Sequence, residues 1–246
     1  MKKLLHSNFK LFVKKNINLI GKNNIFLKKS REWSIAASIL KYHYNFKWMG
    51  LPIIKFPNDI VVMQELIWKI KPDLIIETGV AHGGSLIFLA SMMQCYNPNG
   101  KVIGIDIKIK NKNKNAIKKH ILSPRIKLIE GSSISTKVIK LLKEKKKKFN
   151  KTLVILDSMH SHDHVLRELQ IYSNFINKGS YIIVQDSFVE YFPKNHFKDR
   201  PWNKGNNPMT AIKCFLKENN KFQIDRDIEK KICITENPSG YIFKVK

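Results

Sequence analysis

The chain is short of cysteine, arginine, acidic residues and long apolar runs, and each shortage excludes something. Cys95, Cys214 and Cys233 lie far apart and form no CxxC pair, which argues against a disulfide scaffold and a zinc ribbon. Reduced thiols in a cytoplasmic compartment are the simplest expectation. No apolar run approaches the roughly 20 residues that a membrane-spanning helix needs. Asp plus Glu number 19 against 45 Lys plus Arg, giving a net charge of +26, yet Arg is confined to Arg31, Arg125, Arg167, Arg200 and Arg226. Arginine is the better fork for phosphate and base edges, so its scarcity weakens a nucleic-acid reading. Solvated lysine faces and the Lys, Asn and Ile supply of AT-rich codons are the simpler account, with a polyanion-binding surface as the alternative.

What remains suffices for a folded body. The 246 residues are 43% hydrophobic and 10% aromatic, which fits one large domain or one domain with an extension. In the segment Met1 to Ile20, Leu5, Phe9, Phe12, Val13, Ile17 and Ile20 recur at three- and four-residue steps with lysines between. The spacing predicts an amphipathic helix. Interrupting lysines and the lack of a small-residue cleavage site argue against a signal peptide. Docking on the body or on a second subunit is the expected role of residues 1–20, and a peripheral contact with the inner membrane is the alternative. Residues 1–40 are therefore read as a helical extension and 41–246 as the main domain.

From about Pro57 the chain alternates strand-like and helix-like segments. Strands are expected at 74–76, 102–107, 126–129, 153–156 and 181–184, with helices at 85–93, 113–121, 135–147, 163–176 and 209–218. Closing strands are expected at 222–225, 231–235 and 241–245. Apolar strands separated by helices predict an α/β fold with a mostly parallel sheet covered on both faces. Polar residues gather where these strands end: Glu77, Asp106, Ser133, Asp157, Gln185 and Asp186. In an open α/β sheet that edge forms the ligand crevice, so residues more than 100 positions apart are expected to converge.

The turn Glu77-Thr78-Gly79-Val80-Ala81-His82-Gly83-Gly84-Ser85 is glycine-rich but is neither GxGxxG nor a P-loop. A nucleotide phosphate is disfavoured there. Glu77 suits a cationic amino group, and Asp106 suits a ribose diol. Together they point to S-adenosylmethionine, with Glu77, Gly79, Ala81, Gly83, Ser85, Asp106 and Ser133 as its candidate contacts.

The same segment, from Ile75 to Ser85, resembles the cofactor motif of the cephalosporin hydroxylase and rhamnosyl O-methyltransferase family. Lys47-Trp48-Met49-Gly50, Pro57-Asn58-Asp59, Asp157-Ser158-Met159-His160 and Thr235-Glu236-Asn237-Pro238-Ser239-Gly240-Tyr241 extend the resemblance over about residues 42 to 246. It implies a class I S-adenosylmethionine-dependent methyltransferase (Rossmann-like) fold with one antiparallel strand near the edge. The Glu-x-Gly-x-x-x-Gly-x-Ser arrangement also resembles catechol-type O-methyltransferases.

Asp157, Gln185 and Asp186 form an all-oxygen set suited to Mg²⁺ or a similar hard cation, which acidifies a substrate hydroxyl. The family pattern has a glutamate where Gln185 stands, so this chain carries one negative charge fewer. His160 follows Asp157 by three residues, the spacing of the lysine base in catechol-type enzymes, and imidazole titrates near neutrality. His162 and His164 are expected to cap or line the following helix. The aromatic and proline-rich stretch 187–208 is expected to form a substrate lid, or else an oligomer contact. The expected function is Mg-assisted O-methylation of a sugar, glycoconjugate or other small-molecule hydroxyl. A hydroxylase-like oxygenation enzyme and an RNA methyltransferase are the alternatives.

Overall fold

A computed structural model describes residues 2–246, with side chains from Ser7 onward. Met1 and the side chains of residues 2–6, among them Leu5 of the N-terminal stripe, lie outside the described residues. The chain opens with α1 (Lys2–Lys22) and α2 (Asn24–Ile39). Asn23 separates them, because its side-chain oxygen accepts from Phe26 N and caps α2. The amphipathic helix expected within residues 1–20 is α1, and the rest of the 1–40 extension forms a second helix, α2.

A hairpin of β1 (Lys47–Trp48) and β2 (Leu51–Pro52) follows, turning through Met49 and Gly50, both at positive φ. Trp48 pins it to the body: its Nε1 donates to Ser91 Oγ at 3.0 Å, and its ring packs edge-on against Phe88. Next come α3 (Pro57–Ile70), β3 (Leu74–Thr78), α4 (Gly84–Gln94), β4 (Lys101–Asp106), α5 (Asn111–Lys119), β5 (Ile126–Glu130), α6 (Thr136–Lys146), β6 (Thr152–Leu156) and α7 (His162–Tyr172). The chain closes with β7 (Tyr181–Val184), α8 (Pro208–Glu218), β8 (Phe222–Ile224), α9 (Arg226–Ile232) and β9 (Tyr241–Lys244).

Strands β3 to β9 form one sheet in the order β5-β4-β3-β6-β7-β9-β8. All neighbours run parallel except around β9, which is antiparallel to both β7 and β8. The expected parallel sheet with one antiparallel strand near the edge is the observed one. The pleat sends alternate residues to two cores. Ile75, Val102, Leu153, Ile155 and Ile183 face α3, α4 and α5, whereas Leu74, Ile76, Ile103, Val154 and Ile182 face α6, α7 and α8. Burial on both faces explains why these strands read as unbroken apolar runs.

The strand expected at 231–235 is not formed. Residues 226–232 are α9 instead. Asp225 caps this helix by accepting from Asp227 N, Asp227 and Glu229 sit at its positive end, and Lys230 and Lys231 sit at its negative end. Ile228 and Ile232, four residues apart, pack on the core. The apolar letters of Ile232-Cys233-Ile234 suggest a strand, but cap and charge order favour the helix.

The order of β3 and β6 at the sheet centre decides where a ligand can sit. β4 and β5 lie on one side of β3, while β6 and β7 lie on the other. The turns after β3 and β6 therefore diverge to opposite faces and open a crevice between them.

Candidate active site

A cavity of about 630 Å³ occupies that crevice. Of the residues expected to converge, Gly79, Ala81, Gly83, Ser85, Asp106, Ser133, Asp157, His160, Gln185 and Asp186 all line it. Glu77 does not. It is fully buried behind the loop, where Ser85 Oγ donates to its Oε1 at 2.6 Å.

The loop after β3 is shaped by close approach. Gly79 has φ +88°, and a β-carbon there would fall on the Asp157 carbonyl. At Gly84 a β-carbon would meet the Pro52 carbonyl of the hairpin. Asp106 holds the loop from the neighbouring strand: its Oδ2 accepts from Val80 N at 2.9 Å and its Oδ1 from Lys108 N at 3.1 Å. Lone pairs remain on both oxygens for a ligand hydroxyl.

At the other end of the cavity, ligand atoms of Asp157, His160 and Asp186 lie within 4.8 Å of one another. His160 Nε2 lies 3.1 Å from Asp186 Oδ2, and its ring meets the Trp202 ring edge-on, with centroids 4.9 Å apart. Asp186 itself adopts φ +56°, and its N donates to Asn237 Oδ1. Desolvation at the cavity floor raises the Asp186 carboxyl above its ordinary range; Asp157 adds to the rise, and His160 and Lys55 oppose it.

Lys55 is the residue that sequence reasoning misses. It is 2% exposed, and its Nζ donates to Asp157 Oδ2 at 3.0 Å and to Gln185 Oε1 at 3.3 Å. Burial disfavours its charge, but Asp157, Glu77 and Glu236 outweigh that and hold the ammonium protonated above the usual lysine range. The signal available was a lone charge in the apolar run Pro52-Ile53-Ile54-Lys55-Phe56-Pro57. The Gln185 amide oxygen thus already faces a cation, while its Nε2 has no partner among the described residues.

Two motifs far apart in sequence build the wall behind Lys55. Buried Asp59 accepts from Thr235 Oγ1 at 2.5 Å, Tyr241 OH at 2.6 Å and Glu236 N at 2.9 Å. Glu236 in turn accepts from Phe56 N through Oε2. Neither His162 nor His164 belongs to the Asp157–His160–Asp186 cluster, although His164 lines the same cavity. His162 Nδ1 pairs with Thr210 Oγ1, and His164 Nε2 lies 3.1 Å from both Ser133 Oγ and Ser158 Oγ. In the 187–208 stretch, Phe188, Phe197 and Trp202 line the cavity, whereas Phe192 is packed inside.

Residues 40–245 match the family described as Rhamnosyl O-methyltransferase/CmcI. The chain belongs to that family. The rhamnosyl O-methyltransferase of Mycobacterium leprae (strain TN) is 30% identical over 220 residues, covering 86% of this chain and 91% of its own length. That of Mycobacterium tuberculosis (strain ATCC 25618 / H37Rv) is 27% identical over 219 residues, covering 86% and 85%. Among solved structures, CmcI with Mg and SAM superposes with a TM-score of 0.58 at 19% identity, over 82% of this chain and 78% of that one. The fold of this family member is therefore that of class I methyltransferases.

Glu77 is expected to make the stability of the family member depend on pH. Burial raises its carboxyl to about 7; Asp157 adds to the rise, and Lys55 and Ser85 oppose it. Its Oε2 has no partner among the described residues. With the folded value above the unfolded one, the folded state binds the extra proton in between, so stability falls as pH rises through this window. The denaturation midpoint of the ligand-free protein is expected to drop from about pH 5 to about pH 8, and Glu77→Gln is expected to shallow that slope. An unchanged slope in the variant would show that Glu77 carries no such penalty.

Proposed function

We propose that this protein is an S-adenosylmethionine-dependent, Mg-assisted O-methyltransferase acting on a hydroxyl of a sugar, glycoconjugate or other small molecule. One observation carries the reading: the glycine loop with Asp106 and the Asp157–His160–Asp186 cluster lie on one continuous cavity. The named activity of the mycobacterial relatives supports a sugar acceptor. Residues 41–246 form the methyltransferase unit in this reading, with residues 1–40 as an appendage whose Ser38 reaches the cavity wall.

The residues present suit both groups. The loop is free of phosphate-binding features, Asp106 offers acceptors for a diol, and the cavity floor concentrates acids around Asp186 that a cation would neutralise. Two aspartates and one histidine do not make the two-histidine-one-carboxylate set of iron oxygenases, which disfavours the hydroxylase alternative. S-adenosylmethionine supplies the methyl group, and Mg²⁺ supplies positive charge that acidifies a nearby hydroxyl.

The chain's own residues do the rest. Asp157 and Asp186 hold the cation, with the Gln185 amide as a weaker donor that Lys55 already engages. Asp106 and the Gly79–Ser85 turn orient the cofactor. Held through Nε2 by Asp186 at 3.1 Å, His160 takes the acceptor's proton at its other ring nitrogen, Nδ1, and Asp186 stabilises the resulting imidazolium. Phe197 and Trp202 present ring faces and edges that suit a sugar.

Calorimetry tests the cofactor assignment. Asp106→Ala is expected to weaken S-adenosylmethionine binding by ~10–100-fold, the worth of a hydrogen bond to a charged group. Asp106→Asn, which keeps one accepting oxygen, is expected to fall between. Binding that is unaffected in both variants, or absent in the parent, defeats the assignment.

A further inference from the structure

Helix α1 leaves half of its apolar stripe uncovered. Val13, Ile17 and Ile20 turn toward the body, where α1 packs along α9, and are partly buried. Phe9, Phe12 and Leu19 are 61%, 58% and 58% exposed. The rings of Phe9 and Phe12 stack on each other with centroids 6.4 Å apart, so they form one apolar ridge. Lys15 and Lys22 follow Phe12 and Leu19 at three-residue steps and border that ridge. Lys14, Lys15 and Lys22 also line a shallow surface groove together with Leu11 and Leu19.

The charge of this segment is one-sided. The first acidic residue of the chain is Glu32, beyond the end of α1. A second copy seated on the ridge would set two lysine-bordered, acid-free helices against each other. A surface that takes aromatic and leucine side chains into an apolar layer and offers anionic groups to lysines at its rim satisfies both halves of the pattern. No helix among the described residues is long and apolar enough to cross a membrane, so such a contact lies in the interface plane.

We propose that the Phe9–Phe12–Leu19 face of α1 binds the surface of an anionic lipid bilayer, with the apolar ridge in the headgroup boundary and the bordering lysines on lipid phosphates. This contact is independent of the methyl-transfer chemistry, since none of these residues lines the cavity.

Vesicle co-sedimentation of the full chain tests it. The parent is expected to bind vesicles of phosphatidylcholine with one quarter phosphatidylglycerol and to leave pure phosphatidylcholine vesicles in suspension. Phe9→Ser, Phe12→Ser and Leu19→Ser together are expected to weaken the partition by ~10²-fold or more, from lost apolar burial. Lys14→Gln, Lys15→Gln and Lys22→Gln together are expected to weaken it by ~10²-fold as well. Both triple variants are expected to melt as the parent does, because these positions are exposed. Three results overturn the proposal. One is no binding of the parent to the anionic vesicles. Another is binding that the apolar substitutions leave unchanged, which would mean that charge alone adsorbs polyanions, nucleic acid included. The third is a solution dimer that the same apolar substitutions dissociate, which would put a second copy on the ridge.

Discussion

Asp186→Asn is expected to abolish metal-dependent methyl transfer, lowering kcat by ~10³-fold or more, because the cation's charge stabilisation is worth several kcal/mol. Asparagine is the informative replacement. Asp186 sits at φ +56°, a left-handed conformation that Asn adopts at lower cost than Ala, so the variant removes charge and spares the turn. The backbone donor to Asn237 also survives the change. Isothermal titration with Mg²⁺ is expected to show the affinity lost, while S-adenosylmethionine still binds and the melting temperature holds. The Asp186 carboxyl is raised by its desolvated, acid-rich surroundings, so removing its charge relieves the ligand-free protein rather than unfolding it. Full turnover in excess EDTA, or a fully active Asp186→Asn enzyme, would sink the metal assignment.

His160→Ala is expected to lower kcat by ~10²–10⁴-fold, the usual worth of a positioned general base. Cofactor affinity is expected to hold, since His160 belongs to the Asp157–Asp186 end of the cavity and not to the glycine loop. The imidazole's Nε2 is paired with Asp186 and its ring is braced by Trp202, the arrangement that fixes a base in one orientation. Two readouts separate base from alternatives. The profile of kcat against pH is expected to lose one ionisation in the variant. Mg²⁺ affinity is expected to stay within a few-fold of the parent; a loss in step with activity would make His160 a metal ligand instead. A variant that keeps its rate but melts earlier would reduce His160 to a loop contact.

Much of this site could be read before any coordinates. Each carboxylate or amide sits directly after an apolar strand, and a parallel sheet brings successive strand ends to one edge, so Asp106, Asp157 and Asp186 were findable from periodicity and topology alone. Glu77 shows the limit of that argument. It stands at a strand end too, but its side chain points behind the loop to Ser85, and the period-two alternation that decides this depends on which face the crevice opens. Lys55 lies outside the rule altogether. It comes from the segment between the hairpin and α3, and its place is set by Trp48 anchoring β1 to α4, a contact between residues 43 apart. Its one local sign, a lone charge in the apolar run Pro52 to Pro57, says that it is buried but not against which groups. The buried Asp59 knot with Thr235 and Tyr241 is of the same kind: both segments stand out as motifs, but only the fold shows that they meet.

The contact between Gly79 and the Asp157 carbonyl has a thermodynamic consequence. The turn that carries the cofactor loop and the strand end that carries a candidate metal ligand touch backbone to backbone, and Asp157 N also donates to Thr78 O in the preceding residue pair. Neither segment can shift without the other. With the cofactor on the turn and the cation on Asp157, as proposed, ordering one segment is expected to order the other, which links the two binding equilibria. Such linkage is reciprocal: whatever factor Mg²⁺ adds to cofactor affinity, the cofactor must add to Mg²⁺ affinity.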